Sequence, residues 1–256
     1  MVARFALRLA PALALAAVVA GPTSAAPAPG VTVVYHGQCI VEQGVKSTWD
    51  VTQEIFQTGS PTWLQAHLHA GAECIMSVQG VTAWWTAANT PGGSSTPFPV
   101  PAGKTWYTPE GQVHTAGNPG PPGYAQTQQY LGIHVLVHGT AFNYPVDYAS
   151  APGPVQKTAP ISVFKNTFLG EPSFPGRFII ANQMLGFTAG AAYGIKPTPA
   201  RSYFTVVTGA ATARIGGKAV QLAPKATLIV PRGVAATITA SETTMIAATE
   251  LIPALP

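Results

Sequence analysis

The chain has 256 residues, of which 47% are hydrophobic and only 9% are charged. The hydrophobic share excludes a generally disordered chain, and the scarcity of charge excludes long solvated helices and coiled coils. A formal net charge of +4 without a block of basic residues argues against a nucleic-acid-binding protein. The 26 glycines and 25 prolines make up about a fifth of the chain. So many turn formers among short apolar runs favour an all-β protein of one large or two small domains.

The first residues have the three-part pattern of a secretory signal peptide. Arg4 and Arg8 give a positive start, and residues 9–20 form an apolar run that is short for a membrane span. Small residues follow, so we predict a signal peptide over residues 1–25, with cleavage after Ala20 as the alternative site. An uncleaved membrane anchor is the alternative interpretation. We expect an exported protein, periplasmic or extracellular, that has no membrane contact after the signal is removed.

Export places the two cysteines, Cys39 and Cys74, in an oxidising compartment. Both lie in predicted strands of the same half, so we predict that they form a disulfide. Two buried free thiols are the alternative.

Short apolar stretches rich in Val, Ile, Thr, Trp and Tyr predict strands along most of the chain. In the first half they cover residues 31–42, 48–57, 62–69, 73–85, 104–108, 113–116 and 126–138. In the second half they cover residues 203–208, 211–215, 218–222, 226–230, 234–239 and 244–251. Residues 90–97 and 117–123 predict loops, residues 149–154 predict a linker, and only residues 182–188 hint at a helix. Strands at even spacing favour a sandwich or barrel.

The most informative segment contains His67, His69 and Glu73. A strand points alternate side chains to the same face, so the two imidazoles can share one ion, and Glu73 can return as a third ligand after a short turn. His114 follows later as a further candidate. A His-x-His pair is a weak signal by itself, because exposed strand histidines are common.

At this point the sequence resembles the cupin family. The first cupin motif matches at His67, His69, Glu73 and Gly80, although its leading glycine is displaced, since seven residues separate Gly59 from His67. The second motif matches at every spacing, with residues Gly103, Pro109, Gly111, His114 and Asn118. The turns at Gly80 and at Pro109–Gly111 suit the conformational preferences of glycine and proline.

The resemblance implies that His67, His69, Glu73 and His114 bind one divalent metal inside a β-barrel. Three imidazoles and a carboxylate suit Fe, Mn, Cu, Ni or Zn, and they leave one or two coordination positions for water, dioxygen or substrate. A metal that serves only for stability is the alternative.

The second half resembles a cupin domain that has lost its ligands. Counting from Gly209, the residues that replace the four ligands are Lys196, Thr198, Ser202 and Ala236. The resemblance therefore implies an all-β bicupin of two tandem double-stranded β-helix barrels, with a metal-binding domain over residues 31–148 and a degenerate domain over residues 155–256. We expect the second barrel to bury surface against the first, either within the chain or across a homodimer.

Side chains near the ligands are candidates for contacting a small-molecule substrate. Trp63 and Gln65 share the strand parity of His67, so both would face the interior if the strand is regular, although ordinary barrel core is the alternative. His134 and His138 lie on one face of a later strand, which parity alone cannot orient, and His36 is equally open. We assign no catalytic acid or base.

The function that we predict is a metal-dependent oxidoreductase, most plausibly a dioxygenase acting on a small organic substrate. Two alternatives stay open. One is a hydrolase or isomerase that uses the metal as a Lewis acid, and the other is a non-catalytic binding or storage protein.

Overall fold

A computed structural model describes residues 28–42, 48–88, 94–120, 127–152, 155–156, 161–171 and 176–253. This part of the chain is all β and contains no helix, which confirms the predicted fold class. It follows that the described residues include no helix long and apolar enough to cross a membrane. The predicted signal peptide, residues 1–25, lies outside the described residues.

The strands are, in chain order, β1 (Val31–Val41), β2 (Trp49–Gly59), β3 (Thr62–Trp63), β4 (His67–Leu68), β5 (Gly71–Gln79), β6 (Val81–Thr86), β7 (Ser94–Pro101), β8 (Thr105–Thr108), β9 (His114–Asn118), β10 (Thr127–Val137), β11 (Tyr144–Pro145), β12 (Val155–Gln156), β13 (Ile161–Glu171), β14 (Phe178–Phe187), β15 (Ala192–Ile195), β16 (Ser202–Thr208), β17 (Ala211–Ile215), β18 (Lys218–Leu222), β19 (Thr227–Val230), β20 (Ala236–Ala240) and β21 (Thr244–Pro253).

These strands form four antiparallel sheets that pair into two barrels. The first barrel combines a five-stranded sheet of order β13-β2-β10-β5-β8 with a sheet of order β11-β4-β9-β3-β12, to which β6 and β7 are added through β9. The second barrel combines a sheet of order β1-β14-β21-β16-β19 with a sheet of order β15-β20-β17-β18. Each barrel has its own interior cluster of apolar side chains, drawn from both of its sheets.

The two halves of the sequence exchange strands between the barrels. β1 pairs with β14 in the second barrel, and β13 pairs with β2 in the first. The predicted boundaries 31–148 and 155–256 therefore do not separate the sheets, since the first range gives β1 to the second barrel and the second range gives β12 and β13 to the first. Sequence periodicity predicts a strand but carries no information about which sheet receives it.

The side chains of β10 show how the barrels are joined. Leu131, Ile133 and Val135 belong to a large apolar cluster that the two five-stranded sheets share, so one face of β10 packs against the second barrel. The alternate residues, which include Tyr130 and His134, turn into the first barrel because successive strand residues point to opposite faces. The second barrel thus buries surface against the first within one chain.

Three local predictions differ from the structure. Residues 182–188 are not helical: residues 182–187 lie within strand β14, which is buried on both faces and so lacks the alternation that marks a half-exposed strand. The predicted strand 62–69 is interrupted between β3 and β4. The predicted loop 90–97 overlaps strand β7, which begins at residue 94.

Candidate metal centre

Three short elements bring the predicted ligands together in the first barrel. His67 lies in β4 and pairs directly with His114, the first residue of β9. His69 follows β4, and Glu73 lies near the start of β5. The turn that precedes His114 docks on this cluster, because the backbone amide of Gly111 donates to the carbonyl of His69 over 3.0 Å. Gly111 has a φ of 73°, a left-handed conformation that glycine adopts without strain.

The three imidazoles form a tight triangle. Their ring centroids are 4.5 Å apart for His67 and His114, 5.0 Å for His67 and His69, and 5.0 Å for His69 and His114. One nitrogen from each ring lies within 4.8 Å of the others. The carboxylate oxygen Oε2 of Glu73 lies 3.0 Å from His114 Nε2 and 3.6 Å from His69 Nε2. The three histidines thus form one group that could hold a metal ion, and His69, Glu73 and His134 form a second that shares His69 with the first.

Backbone carbonyls fix the tautomer of each imidazole. The Nδ1 atoms of His67, His69 and His114 lie 2.8, 2.6 and 2.8 Å from the carbonyl oxygens of Gln65, Phe142 and Gln112. A carbonyl oxygen can only accept, so each Nδ1 carries the proton and each Nε2 presents a lone pair. Histidines that bind metals are commonly oriented in this way by their second ring nitrogen.

The buried atoms at the centre of this cluster fit a cation. Nε2 of His69, Nε2 of His114 and Oε2 of Glu73 are buried and have no hydrogen-bond partner within the described part of the chain. Leaving such acceptors unsatisfied costs free energy, and lone pairs 3.0 Å apart repel each other unless a proton or a cation lies between them. Three imidazole nitrogens and one carboxylate oxygen are a donor set that suits a divalent transition metal.

The structure adds a histidine that the sequence motifs do not contain. His134 of β10 is buried and pairs with Glu73 across the β10–β5 ladder. Its Nε2 lies 3.0 Å from Oε1 of Glu73, so it can donate to that oxygen while Oε2 faces His69 and His114. His134 is therefore placed to orient the carboxylate ligand. The available signal was strand parity, which could not be anchored because both faces of β10 are buried.

The pKa values of the ligands follow from burial and from their mutual charges. Desolvation lowers the pKa of His67 to about 3, and His114 adds to that effect. Desolvation also lowers the pKa of His134. Burial opposes the charge on Glu73, but His134 and His114 outweigh it and hold the pKa of Glu73 well below its usual value. Desolvation likewise opposes the charge on His69, yet Glu73 raises the pKa of that imidazole. The cluster thus holds one buried carboxylate that stays ionised beside the imidazoles.

A cavity of about 270 Å³ opens beside the ligands. Its walls contain His67, Glu73 and His134 together with apolar and aromatic side chains, among them Trp84, which stacks on the ring of His114 at 5.4 Å. Ligand pockets for drug-sized molecules commonly measure 300–1,000 Å³, so this space suits a small compound. Metal ligands and a small-molecule pocket therefore share one interior.

The two predicted substrate contacts have different positions. Gln65 lines the cavity and is exposed. Trp63 does not line it, and its indole instead lies against Gly117 of β9, where an added Cβ would come within 2.4 Å of the ring. The strand is interrupted after Trp63, so parity does not extend from His67 back to Trp63. Leu64 takes the place at the cavity wall that we predicted for Trp63.

The remaining histidines lie away from the cluster. His138 pairs with Asp50 over 2.6 Å and its side chain is 49% exposed, so it does not share the environment of His134. His36 is exposed on β1 of the second barrel. Cys39 and Cys74 form a disulfide, as predicted, and the two strands that it joins, β1 and β5, come from the first half of the sequence but belong to different barrels.

The equivalent point of the second barrel contains different residues. Ala236 begins β20 as His114 begins β9, and its pairing partner is Ile195. Ile195, which is buried, therefore occupies the position of His67, one residue before the predicted Lys196, which is exposed. Among the described residues, the groups able to hold a metal all belong to the first barrel.

No protein-family model and no curated protein matches the sequence significantly. Solved structures do match. Vicilin from hazelnut, Corylus avellana, is 11% identical with a TM-score of 0.54, covering 87% of this chain and 85% of vicilin. Oxalate decarboxylase from Lactobacillus farciminis is 12% identical with a TM-score of 0.53, covering 88% and 86%. The 7S globulin of Momordica charantia is 13% identical with a TM-score of 0.52, covering 88% and 83%. These are two-barrel cupin proteins, and the chain therefore has the cupin fold, with histidines and a glutamate in its first barrel that can bind a metal.

Proposed function

We propose that the first barrel binds one divalent transition metal and catalyses the oxidation of a small organic substrate by dioxygen. The observation that carries the proposal is the cluster of His67, His69 and His114, with Glu73 against two of these rings, beside a small-molecule cavity. A closed structural site would not need such a cavity. Imidazole-rich donor sets suit iron and copper, which support such redox chemistry, as well as nickel and zinc.

The side chains divide the work in this proposal. His67, His69, His114 and Glu73 would hold the metal, and His134 would keep the carboxylate of Glu73 in position. An iron, manganese or copper ion would supply redox chemistry and a binding position for dioxygen. Trp84, Tyr130 and Phe56 would contact the apolar part of a substrate and exclude water from the cavity.

The structural likeness supports a cupin function without selecting one. Oxalate decarboxylase is an enzyme, whereas vicilin and the 7S globulin are plant proteins of the same fold. At these low identities the likeness concerns the fold alone, so the weight of the proposal rests on the donor set and the cavity.

The test is the metal content of the protein purified from its native source, measured by elemental mass spectrometry, followed by oxygen-uptake assays with small organic acids, phenols and alcohols. Iron, copper or manganese together with metal-dependent oxygen uptake would support the proposal. Zinc or nickel without oxygen uptake would contradict it and favour Lewis-acid hydrolysis or isomerisation. Protein that contains no metal and refuses added metal would favour a binding or storage protein.

We also propose that the chain is exported and that residues 1–25 are removed. The arginines and the apolar run near the start of the sequence support this proposal. N-terminal sequencing of protein from the periplasm or the culture medium tests it, and an intact N-terminus in the cytoplasm would contradict it.

A further inference from the structure

Among the described residues, one lysine or arginine side chain lines the cavity of the first barrel, and it lies on β13, the strand that the second half of the sequence adds to this barrel. Lys165 lies on β13, directly opposite Glu54 of β2 in the β13–β2 ladder. Glu54 is buried and also lines the cavity. The cavity wall beside His134 therefore contains a carboxylate and an ammonium group, the latter supplied by the second half of the sequence.

The ammonium group of Lys165 has incomplete partners. Its Nζ lies 3.9 Å from Oε2 of Glu54, which is longer than a hydrogen bond, and 3.1 Å from the centre of the Phe142 ring. The side chain is 39% exposed, so the ammonium can contact both the cavity and solvent. Burial lowers the pKa of Lys165, since desolvation outweighs the attraction of Glu54. An anion that entered the cavity would offset this desolvation.

The charges of the cavity also favour an anion. The carboxylates of Glu54 and Glu73 would balance a divalent ion bound by the predicted ligands. The ammonium of Lys165 would then remain as one uncompensated positive charge. A ligand with a single negative charge would make the cavity neutral, whereas a cation would meet repulsion in an environment of low dielectric constant.

The rest of the wall defines the body of such a ligand. Apolar and aromatic side chains cover most of it, namely Phe56, Leu64, Trp84, Ala116, Tyr130 and Phe142. Rings of this kind pack well against a flat apolar group. The volume of about 270 Å³ admits a molecule the size of a single substituted ring.

We propose that Lys165 binds the anionic group of the substrate, and that this cavity selects small organic monocarboxylates with an apolar body. The inference rests on the proposed function, because it takes the cavity beside the metal ligands as the active site. In this account the second half of the chain contributes to substrate selection through β13, although the barrel that it mainly forms has no ligand cluster of its own among the described residues.

The test compares the binding of benzoate and of its neutral analogue benzamide by calorimetry, using metal-loaded protein. We expect benzoate to bind at least about tenfold more tightly than benzamide, because only its carboxylate carries a charge that the ammonium of Lys165 can pair with. Lys165→Met should remove that advantage and leave benzamide binding unchanged. Lys218→Met, at an exposed position of β18 in the second barrel, is the matched control and should bind benzoate as the wild type does. Equal binding of the two probes, or an unchanged benzoate affinity in Lys165→Met, would overturn the proposal.

A second variant keeps the test decisive if Lys165→Met does not fold. Glu54→Gln removes the carboxylate that competes for the ammonium, so it should strengthen benzoate binding several-fold, and weaker binding would contradict the proposal. The metal content of every sample separates this inference from the proposed function. If the protein binds no metal but still prefers benzoate over benzamide through Lys165, the proposed function is wrong and the inference stands. If the protein binds metal but shows no preference for benzoate, the inference is wrong and the proposed function stands.

Discussion

The two barrels place different side chains at equivalent positions of matching ladders. In the first, His67 pairs with His114 and Glu73 pairs with His134. The second replaces these pairs with Ile195 and Ala236, and with Ser202 and Glu250. By the same alignment Gly132, two residues before His134 on β10, corresponds to Ala248, two residues before Glu250 on β21.

The interiors of the two barrels differ in how much of their space apolar side chains fill. The interior of the second barrel is filled by an apolar cluster that includes Phe187, Phe204 and Ile238. The first barrel has a smaller apolar cluster, and the rest of its interior holds the polar ligands and the cavity. A barrel of this kind therefore closes around an apolar interior without a buried His/Glu cluster.

Removing one predicted ligand should have the largest effect, because it should abolish metal binding by the first barrel. His114→Ala deletes a ring that belongs to the triangle of imidazoles, so gel-filtered protein should fall from about one equivalent of metal to none. A substitution at the equivalent position of the second barrel, Ala236→Ser, should leave metal content unchanged. Elemental mass spectrometry measures both, and full metal content in His114→Ala would show that the ligand assignment is wrong.

The apolar interior of the second barrel predicts a large effect on stability instead. Phe204 is fully buried there, and Phe204→Ala should lower the free energy of unfolding by about 3–5 kcal/mol because it leaves a cavity. Metal content should not change in the folded variant. Denaturant titration provides the measurement, and a loss below about 1 kcal/mol would mean that this interior is loosely packed.

The disulfide joins the barrels across 35 residues of sequence. Replacing Cys39 and Cys74 together by alanine should lower the free energy of unfolding by about 3–4 kcal/mol, since the cross-link restricts the unfolded chain. Wild-type protein unfolded in the presence of a reductant is the control and should match the variant. Two titratable thiols in unreduced, denatured wild-type protein would contradict the pairing.

Removing His134 should have an intermediate effect on metal binding. His134→Ala leaves the four predicted ligands in place but frees the carboxylate of Glu73, so affinity should fall by about 10–100-fold while stoichiometry stays at one. Competition with a chelator measures the affinity. Loss of the metal at saturating concentration would instead identify His134 as a ligand.

Glu250 occupies the position in the second barrel that His134 occupies in the first, and its replacement should have the smallest effect, a change in how stability depends on pH. Burial raises the pKa of Glu250, so its protonated form is favoured in the folded state. Its contribution to stability is full below the ordinary pKa of 4.5 and is lost as the pH rises through the raised value. Glu250→Gln should therefore be more stable than the wild type at pH 7 and little different at pH 4. The exposed Glu242→Gln is the control, and equal differences at the two pH values would refute the assignment.

Sequence motifs located the four candidate ligands because their spacing reports local geometry. His67 begins β4 and His69 directly follows it, and the turn at Gly111 places His114 beside them. His134 had no such motif, since it reaches the site from a strand that is distant in sequence and apolar on both faces.

Register explains the errors in the second half. Counting residues placed Lys196 opposite Ala236, whereas the ladder places Ile195 there. A shift of one residue moves a side chain to the other face of a strand, so a count across an unaligned loop cannot decide between a buried and an exposed residue. The exchange of β1 and β13 was likewise invisible, because it depends on contacts between the barrels.

The most direct test of the account is the number of metal sites per chain. Metal-free protein titrated with Co²⁺ should develop ligand-field absorption that ends at one equivalent, and His114→Ala should develop none. A titration that ends at two equivalents would contradict the difference between the barrels. Absence of any absorption change in the wild type would contradict the metal centre itself.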